Sequence, residues 1–326
     1  MTKPLFFLGL IAPLFAAPAL ARDPVLSPPI DCTLGDACYI QSYVDTDPGP
    51  GAADFTCGML SYDGHKGTDF ALPAVVDLWN GVNVLASAPG TVIGTRDGME
   101  DFPQGVEGAP DITGKECGNG VVVDHGDGWV TQYCHMMKDS ISVKEGDRVS
   151  SATVLGQVGL SGMTQFPHVH LSVRHNGKIV DPFNPTGTVA CGPDAIMSGT
   201  LWDRDMIYQA GGLLDVGIDT KVPEYEAIKA GTAGATALTA QSPALVVYGF
   251  AYGGRAGDVL RLSIFGPEGE VISQDAELDK SQAQLFRAIG KRNPGSWPVG
   301  GYSATVQMLR DGTMIDQRET RFQIAP

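Results

Sequence analysis

Two short segments of this 326-residue chain carry side chains that commonly bind metal ions in proteins. The first holds His65 and Asp69, four residues apart, and the second holds His168 and His170, two residues apart. If the second segment is a strand, His168 and His170 project from the same face, because side chains on a strand alternate between its two faces. Two imidazoles and one carboxylate leave one position of a tetrahedral zinc site open for water, which is the composition of a catalytic site. The two segments together therefore predict a catalytic zinc centre.

A third element, Tyr133-Cys134-His135, lies between these two segments. The order HxGxD (His65 to Asp69), Tyr-x-His and HxH, followed by an Asn-Gly turn, resembles the lysostaphin-type (LytM-like) zinc metallopeptidases of family M23. The resemblance extends from about Gly64 to Pro182 and includes a glycine-rich framework. It implies a zinc metalloendopeptidase that hydrolyses peptide cross-links of bacterial peptidoglycan, so peptidoglycan peptides are the expected substrate.

The resemblance also implies a role for each residue of the motifs. We assign His65, Asp69 and His170 as ligands of one Zn²⁺ per chain, and His135 and His168 as the catalytic histidines. Peptide hydrolysis needs a proton acceptor and a group that stabilises the oxyanion, and these two histidines are the candidates for both. Phe166-Pro167 precedes the HxH motif where the family usually has Gly-Pro, and Cys134 occupies a position that is not usually Cys, but neither change removes a ligand.

Two other interpretations of the motifs remain open. The chain could be a non-catalytic LytM-like protein that binds or activates another cell-wall hydrolase, although its complete ligand set counts against this. Two histidines and a carboxylate also form the site of non-haem iron oxygenases. An exported protein with disulfides is a poor environment for Fe(II), and this counts against the oxygenase.

The first 21 residues are typical of a cleaved export signal. Lys3 supplies a positive charge, Leu5 to Phe15 is an apolar run too short to span a bilayer comfortably, and Ala19-Leu20-Ala21 fits the rule for signal cleavage. We therefore expect a mature chain that begins at Arg22, has no membrane span, and is periplasmic or secreted.

Composition excludes two classes of partner. The net charge is −15, and removal of Lys3 with the signal would make it −16. A field of this sign opposes binding to nucleic acid and to anionic lipid surfaces. No Lys/Arg cluster in the sequence overrides it locally.

The six cysteines of an exported chain suggest up to three disulfides, for which fifteen connectivities exist. Cys32 and Cys38 are close in sequence and are expected to pair. Cys117 and Cys134 flank a predicted hairpin and are the second candidate pair. Cys57 and Cys191 remain as the third.

Short, glycine-punctuated strands predict an all-β fold, with a LytM-type catalytic sheet followed by a small immunoglobulin-like β-sandwich. Residues 97–118 have no strand pattern and form either a groove-shaping loop or a neutral insertion. Trp202 to Ala210 and Glu277 to Ile289 have spacing compatible with helices. The predicted domains are a signal peptide (1–21), an N-terminal disulfide-pinned segment (22–60), a metallopeptidase domain (61–195), a linker (196–240) and a β-sandwich (241–326), whose binding partner the sequence does not identify.

Overall fold

The computed structural model of this chain describes residues 23–188, 191 and 199–326, and its regular structure is almost entirely β. The predicted signal peptide, residues 1–21, lies outside the described residues. Within the described ranges the helices are a 3₁₀ helix, Val75–Asn80, and one α-helix, α1 (Tyr225–Ala230). Neither is long and apolar enough to cross a membrane. The prediction of an all-β fold is confirmed.

The first half of the chain folds around one large antiparallel sheet. The strands of this half are β1 (Tyr39–Ser42), β2 (Thr68–Ala71), β3 (Asn83–Leu85), β4 (Gly90–Arg96), β5 (Asn119–Gly126), β6 (Trp129–Met136), β7 (Arg148–Val149), β8 (Val154–Gln157), β9 (His168–His175) and β10 (Lys178–Val180). The spatial order is β1-β2-β9-β6-β5-β4-β7, with β10 paired to β9, while β3 and β8 form a separate pair. The strands that carry the metal-binding motifs, β2 and β9, are therefore neighbours, and β6 lies on the other side of β9.

The N-terminal segment is part of this sheet. Its strand β1 pairs antiparallel with β2, so that Tyr39 lies opposite Ala71. The structure contains all three expected disulfides, Cys32–Cys38, Cys57–Cys191 and Cys117–Cys134. The segment is therefore more than a connecting loop, because it supplies the edge strand beside β2.

The second half of the chain forms two further sheets. Their strands are β11 (Gly212–Asp219), β12 (Leu238–Thr239), β13 (Ala244–Gly254), β14 (Val259–Gly266), β15 (Gly269–Glu277), β16 (Gln282–Arg292), β17 (Gly300–Arg310) and β18 (Thr313–Ala325). One sheet has the order β11-β13-β16 and the other β12-β18-β17-β14-β15. Apolar side chains of both sheets share one buried core. The immunoglobulin-like topology of this region remains a prediction.

Strand β13 joins the two halves of the molecule because both of its faces are buried. Leu245 and Val247 point into the core between the two C-terminal sheets. Tyr248, Phe250 and Tyr252 point the other way and belong to the core of the N-terminal half. A nearly continuous apolar run, Ala244 to Tyr252, is the pattern expected of a strand that is covered on both faces.

Local expectations in the second half differ from the structure. Residues 202–210 contain no helix, and the segment Glu277 to Ile289 ends β15 and forms most of β16, where pairing with β13 takes precedence over its helical spacing. The predicted linker, 196–240, contains β11, which pairs with β13, and the helix α1.

Candidate metal centre

Strand pairing brings the two metal-binding motifs together. Asp69 in β2 lies directly opposite His170 in β9, and His168 lies opposite Ala71. Residues that face each other across an antiparallel pair project from the same face of the sheet. His65 lies in the turn that leads into β2, and its ring reaches the same face, where it is 97% buried.

Three side-chain atoms converge at this point. His65 Nε2 lies 3.2 Å from Asp69 Oδ1 and 3.2 Å from His170 Nδ1. The third edge of the triangle, from His170 Nδ1 to Asp69 Oδ1, is 2.8 Å. Among the described residues, these three form the one cluster of at least three His, Cys, Asp or Glu side chains whose donor atoms could hold a metal ion. Two imidazole nitrogens and a carboxylate oxygen are a donor set that fits zinc.

Charge at the cluster favours an ionised carboxylate. Burial alone would raise the pKa of Asp69, but the neighbouring His65 and His168 hold it well below its usual range. Burial lowers the pKa of His170 below its ordinary value. For His65, burial would lower the pKa, but the interaction with Asp69 raises it. An ionised Asp69 and a neutral His170 are the protonation states that a metal ligand requires.

A hydrogen bond on the far side of each ring orients the two histidine ligands. His65 Nδ1 donates to the backbone oxygen of Tyr43, at 2.7 Å. His170 Nε2 lies 3.0 Å from Ser172 Oγ, which in turn donates to the backbone oxygen of Lys66. These partners leave His65 Nε2 and His170 Nδ1 as the unprotonated atoms, directed at Asp69.

Sequence reasoning missed both of these partners. Ser172 could have been found, because it follows His170 by two residues on the same strand face and is a polar residue in an apolar run. The role of Tyr43 could not, because a backbone oxygen has no sequence signature. Gly67 of the HxGxD motif has a steric role, since a Cβ atom there would lie 2.5 Å from His170 Nε2.

The two predicted catalytic histidines lie beside the cluster. His168 Nε2 is 3.4 Å from Asp69 Oδ1, and the rings of His135 and His168 are 4.7 Å apart. His168 Nδ1 lies 3.0 Å from the backbone oxygen of Phe166, and His135 Nδ1 lies 2.8 Å from that of Ser161. A proton on each Nδ1 satisfies these bonds and leaves both Nε2 atoms as acceptors.

His135 reaches the site through an unusual backbone conformation. Its φ is +62°, in the left-handed region, which is uncommon for a residue other than glycine. Cys134 lies opposite His170, while Tyr133 faces the core and its hydroxyl accepts the backbone N–H of Ser87. In a regular strand the side chain of His135 would project from the same face as that of Tyr133, into the core. Strand alternation predicts that Tyr133 and His135 share a face, and the structure shows that they do not: Tyr133 is a packed aromatic of the core, whereas His135 lies beside the cluster.

The remaining two histidines lie outside the cluster. His125 is half-buried, and its nitrogens bond to the backbone oxygen of Pro89 and to Thr131 Oγ1. His175 stacks on Trp129, with ring centroids 4.3 Å apart. Both flank predicted turns in the sequence, which is typical of surface residues, and neither belongs to the cluster of His65, Asp69 and His170.

The strandless stretch 97–118 packs against the segment that precedes β9. Asp101 accepts the backbone N–H groups of Lys138 and Leu160, at 2.9 and 2.6 Å. The Gln104 backbone N–H donates to the oxygen of Thr164, whose hydroxyl lies 3.1 Å from His168 Nδ1. The loop is thus tied to the residues that support His168.

The metal-binding motifs lie within a segment that matches a known family. Residues 63–182 match the model of Peptidase family M23. This segment is therefore similar to Peptidase family M23, in agreement with the resemblance seen in the motifs.

Curated relatives agree with this assignment. The chain is 33% identical over 117 residues to the peptidoglycan DD-endopeptidase ShyA of Vibrio cholerae, which covers 36% of this chain and 22% of the relative. It is 32% identical over 120 residues to the DD-carboxypeptidase/endopeptidase Mpg of Neisseria meningitidis, covering 36% and 22%. It is also 38% identical over 68 residues to the cell division protein DipM of Caulobacter vibrioides, covering 21% and 11%. The match thus spans less than a quarter of the length of each of these relatives.

The solved structures that are similar to this chain also include an M23 protein. The catalytic domain of the prophage-encoded M23 protein EnpA from Enterococcus faecalis, as an A109H mutant, is 26% identical. The aligned part covers 48% of this chain and 95% of that domain, with a TM-score of 0.33.

Proposed function

We propose that this chain is an exported zinc endopeptidase that hydrolyses peptide cross-links of bacterial peptidoglycan. The observation that carries the proposal is the convergence of His65 Nε2, Asp69 Oδ1 and His170 Nδ1 within the segment similar to Peptidase family M23, with two further histidines beside them. The names of relatives such as ShyA and Mpg support the substrate class.

His65, Asp69 and His170 would hold the zinc ion. When bound, zinc lowers the pKa of a coordinated water and polarises a carbonyl oxygen. Tyr43 and Ser172 occupy the far nitrogens of the two rings, so His65 Nε2 and His170 Nδ1 are directed at the metal position, and binding of the cation would release the proton that Asp69 favours on His65. No rearrangement of the ligand rings is then required to form the site.

His168 and His135 handle protons in this proposal. Their Nε2 atoms are acceptors, because their Nδ1 protons are engaged by backbone oxygens. Burial, together with the neighbouring His168 and His170, lowers the pKa of His135 well below its ordinary value, so its ring is neutral near pH 7. A proton taken from the attacking water at an Nε2 atom can then be delivered to the leaving amine.

The test is the release of soluble fragments from purified peptidoglycan by the mature, zinc-loaded chain. We expect wild type to release peptides, and His168→Ala and Asp69→Ala to release at least 100-fold less, in line with the loss of general acid–base catalysis or of the metal. His175→Ala is the matched control, since it removes an imidazole that stacks on Trp129 outside the cluster.

The competing hypothesis is a non-catalytic regulator of another hydrolase. Metal analysis of the purified chain separates the two together with the release assay. A chain that holds zinc and releases fragments is an enzyme, whereas one that purifies without metal and releases none would contradict the proposal. Mass spectrometry of the released products identifies the bond that is cut.

A further inference from the structure

A groove of about 240 Å³ opens between the segment that precedes the M23 match and the C-terminal strands. We call it the interdomain groove. One side is formed by residues of the N-terminal half. The other side is formed by the residue that precedes β11, the end of β13 and the start of β16. Its lining residues are Gln41, Ser42, Met59, Leu60, Ser61, Tyr62, Ala210, Gly253, Gly254, Ser281, Gln282 and Ala283.

The interdomain groove adjoins the candidate metal centre. The ring of Tyr62, which lines the groove, packs on the ring of His65 with a centroid distance of 4.3 Å. Ser42, another lining residue, lies opposite Asp69 in the β1–β2 ladder. Two lining residues of the groove are therefore direct neighbours of two residues of the metal centre.

The C-terminal wall of the groove is held rigidly against the N-terminal half. Gln41 Nε2 donates to the backbone oxygen of Ala283, at 3.2 Å, and Gln284 Nε2 donates to the hydroxyl of Tyr39, at 2.9 Å. The rings of Tyr39 and Tyr252 are 4.5 Å apart. A wall that is ordered before the ligand arrives binds it at a lower entropic cost.

A buried arginine orders the same wall from behind. Arg310 pairs with Asp258 and donates to the backbone oxygens of Ala210 and Gly253, each at 2.8 Å. Ala210 and Gly253 are two of the lining residues, so the ion pair fixes the shape of the groove.

The chemistry of the lining defines the ligand. None of the described lining residues is charged, although the chain as a whole has a net charge of −15. The C-terminal wall consists mainly of Gly, Ala and Ser, while Met59 and Tyr62 leave 56% and 57% of their surface exposed at the other side. Such a surface suits an uncharged stretch of peptide with small side chains.

We propose that the C-terminal strands form a substrate-binding wall of the endopeptidase. The interdomain groove takes the uncharged, small-side-chain part of the peptide that flanks the scissile bond. This inference rests on the proposed function and assigns the second half of the chain to substrate recognition.

The test fills the groove with a bulky side chain in the full mature chain. Gln282→Trp places an indole in the wall, and Gln274→Trp, at an exposed position of β15 in the other C-terminal sheet and outside the groove lining, is the matched control. The substrates are a cross-linked peptide dimer isolated from peptidoglycan and a short peptide with one residue on each side of the scissile bond. We expect Gln282→Trp to raise KM for the dimer at least 10-fold, with unchanged zinc content and unchanged hydrolysis of the short peptide.

The outcomes separate the inference from the function on which it rests. If wild type cleaves the dimer and Gln282→Trp retains the wild-type KM, the groove does not bind substrate and the inference is overturned.

If zinc-loaded wild type cleaves neither substrate, the proposed function fails. Calorimetric binding of the intact dimer then decides the inference instead. Equal affinities of wild type and Gln282→Trp would then overturn it, and a 10-fold weaker affinity of the variant would support it. If Gln282→Trp does not melt cooperatively, Ala283→Trp at the exposed neighbouring position replaces it.

Discussion

At the scale of single residues, the candidate metal centre depends on hydrogen bonds made away from the metal-binding atoms. Tyr43 and Ser172 each engage the nitrogen on the far side of a ligand ring. Only the Ser172 bond comes from a side chain, so it is the one that substitution can remove. Ser172 is itself held by the backbone oxygen of Lys66, which ties β9 to the turn that carries His65.

We predict that Ser172→Ala weakens zinc binding by about 10- to 100-fold, because His170 loses the bond that holds its ring and selects its tautomer. Competition with a chromophoric chelator measures the affinity directly. Ser303→Ala, on β17 of the C-terminal sheet, is the matched control and should leave zinc affinity unchanged. A Ser172→Ala affinity within 2-fold of wild type would show that packing alone holds the His170 ring.

The positions of some of the residues at this site can be predicted from the sequence, whereas the position of His135 cannot. His65, Asp69 and His170 are predictable because their spacing and the alternation of strand side chains bring them to one face. The position of His135 is not, because it depends on a left-handed backbone at a non-glycine residue, where the alternation fails. Strand alternation therefore places Tyr133 correctly in the core and His135 incorrectly beside it.

At the scale of elements, the end of β6 is the part of the site that is built least like a regular strand. Cys134, next to His135, is cross-linked to Cys117, which lies just before β5, at a sequence separation of 17. The backbone N–H of His135 also donates to the oxygen of Cys117, at 2.8 Å. The disulfide and this hydrogen bond together hold His135 in its unusual conformation.

We predict that the double variant Cys117→Ser/Cys134→Ser is less stable by about 3 kcal/mol, the value expected for opening a loop of this length. It should also hydrolyse peptidoglycan at least 10-fold more slowly while retaining zinc, since the metal ligands lie on β9 and around β2. Chemical denaturation, metal analysis and the fragment-release assay give the three readings.

The Cys32–Cys38 disulfide offers a control for this effect. It closes a loop with a sequence separation of 6 and should contribute about 1 kcal/mol less by the same loop argument. Its removal should leave the turnover of the zinc-loaded chain unchanged. Equal losses of turnover in the two double variants would contradict a specific role of the Cys117–Cys134 bond at His135.

The elements of the two ends of the chain were predicted less well than those of the middle. Strand β1 lies in a Pro-, Gly- and Asp-rich region and forms because it can pair with β2, which local sequence does not reveal. Most of β16 has helical spacing and becomes a strand because ten of its residues pair with β13. In both cases long-range pairing outweighs local propensity.

At the scale of the whole molecule, the two halves are joined through β13 and through polar contacts such as Gln284 with Tyr39. The segment that ends the M23 match also contains an unusual buried carboxyl, Asp181, which is 8% exposed. Its Oδ1 accepts the backbone N–H of Phe183, at 2.9 Å, while its Oδ2 has no hydrogen-bond partner among the described residues. A charge at this position is therefore poorly stabilised.

Burial raises the pKa of Asp181 to about 7, and this makes the stability of the whole chain depend on pH. The unfolded chain releases this proton near pH 3.8 and the folded chain near pH 7, so the folded state holds the extra proton between these values. Stability from this group is complete below about pH 4 and falls as pH rises to 7, by on the order of 4 kcal/mol. The substituted side chain of Asp181→Asn cannot ionise, so the stability of this variant relative to wild type should increase steadily from pH 4 to 8 and reach a few kcal/mol.

Chemical denaturation at several pH values measures this difference in stability. The titration of the site histidines cancels in the difference because both chains contain them. Asp279→Asn, at an exposed position, should show no such trend, and a pH-independent difference for Asp181→Asn would mean that the carboxyl is charged in the folded chain throughout this range.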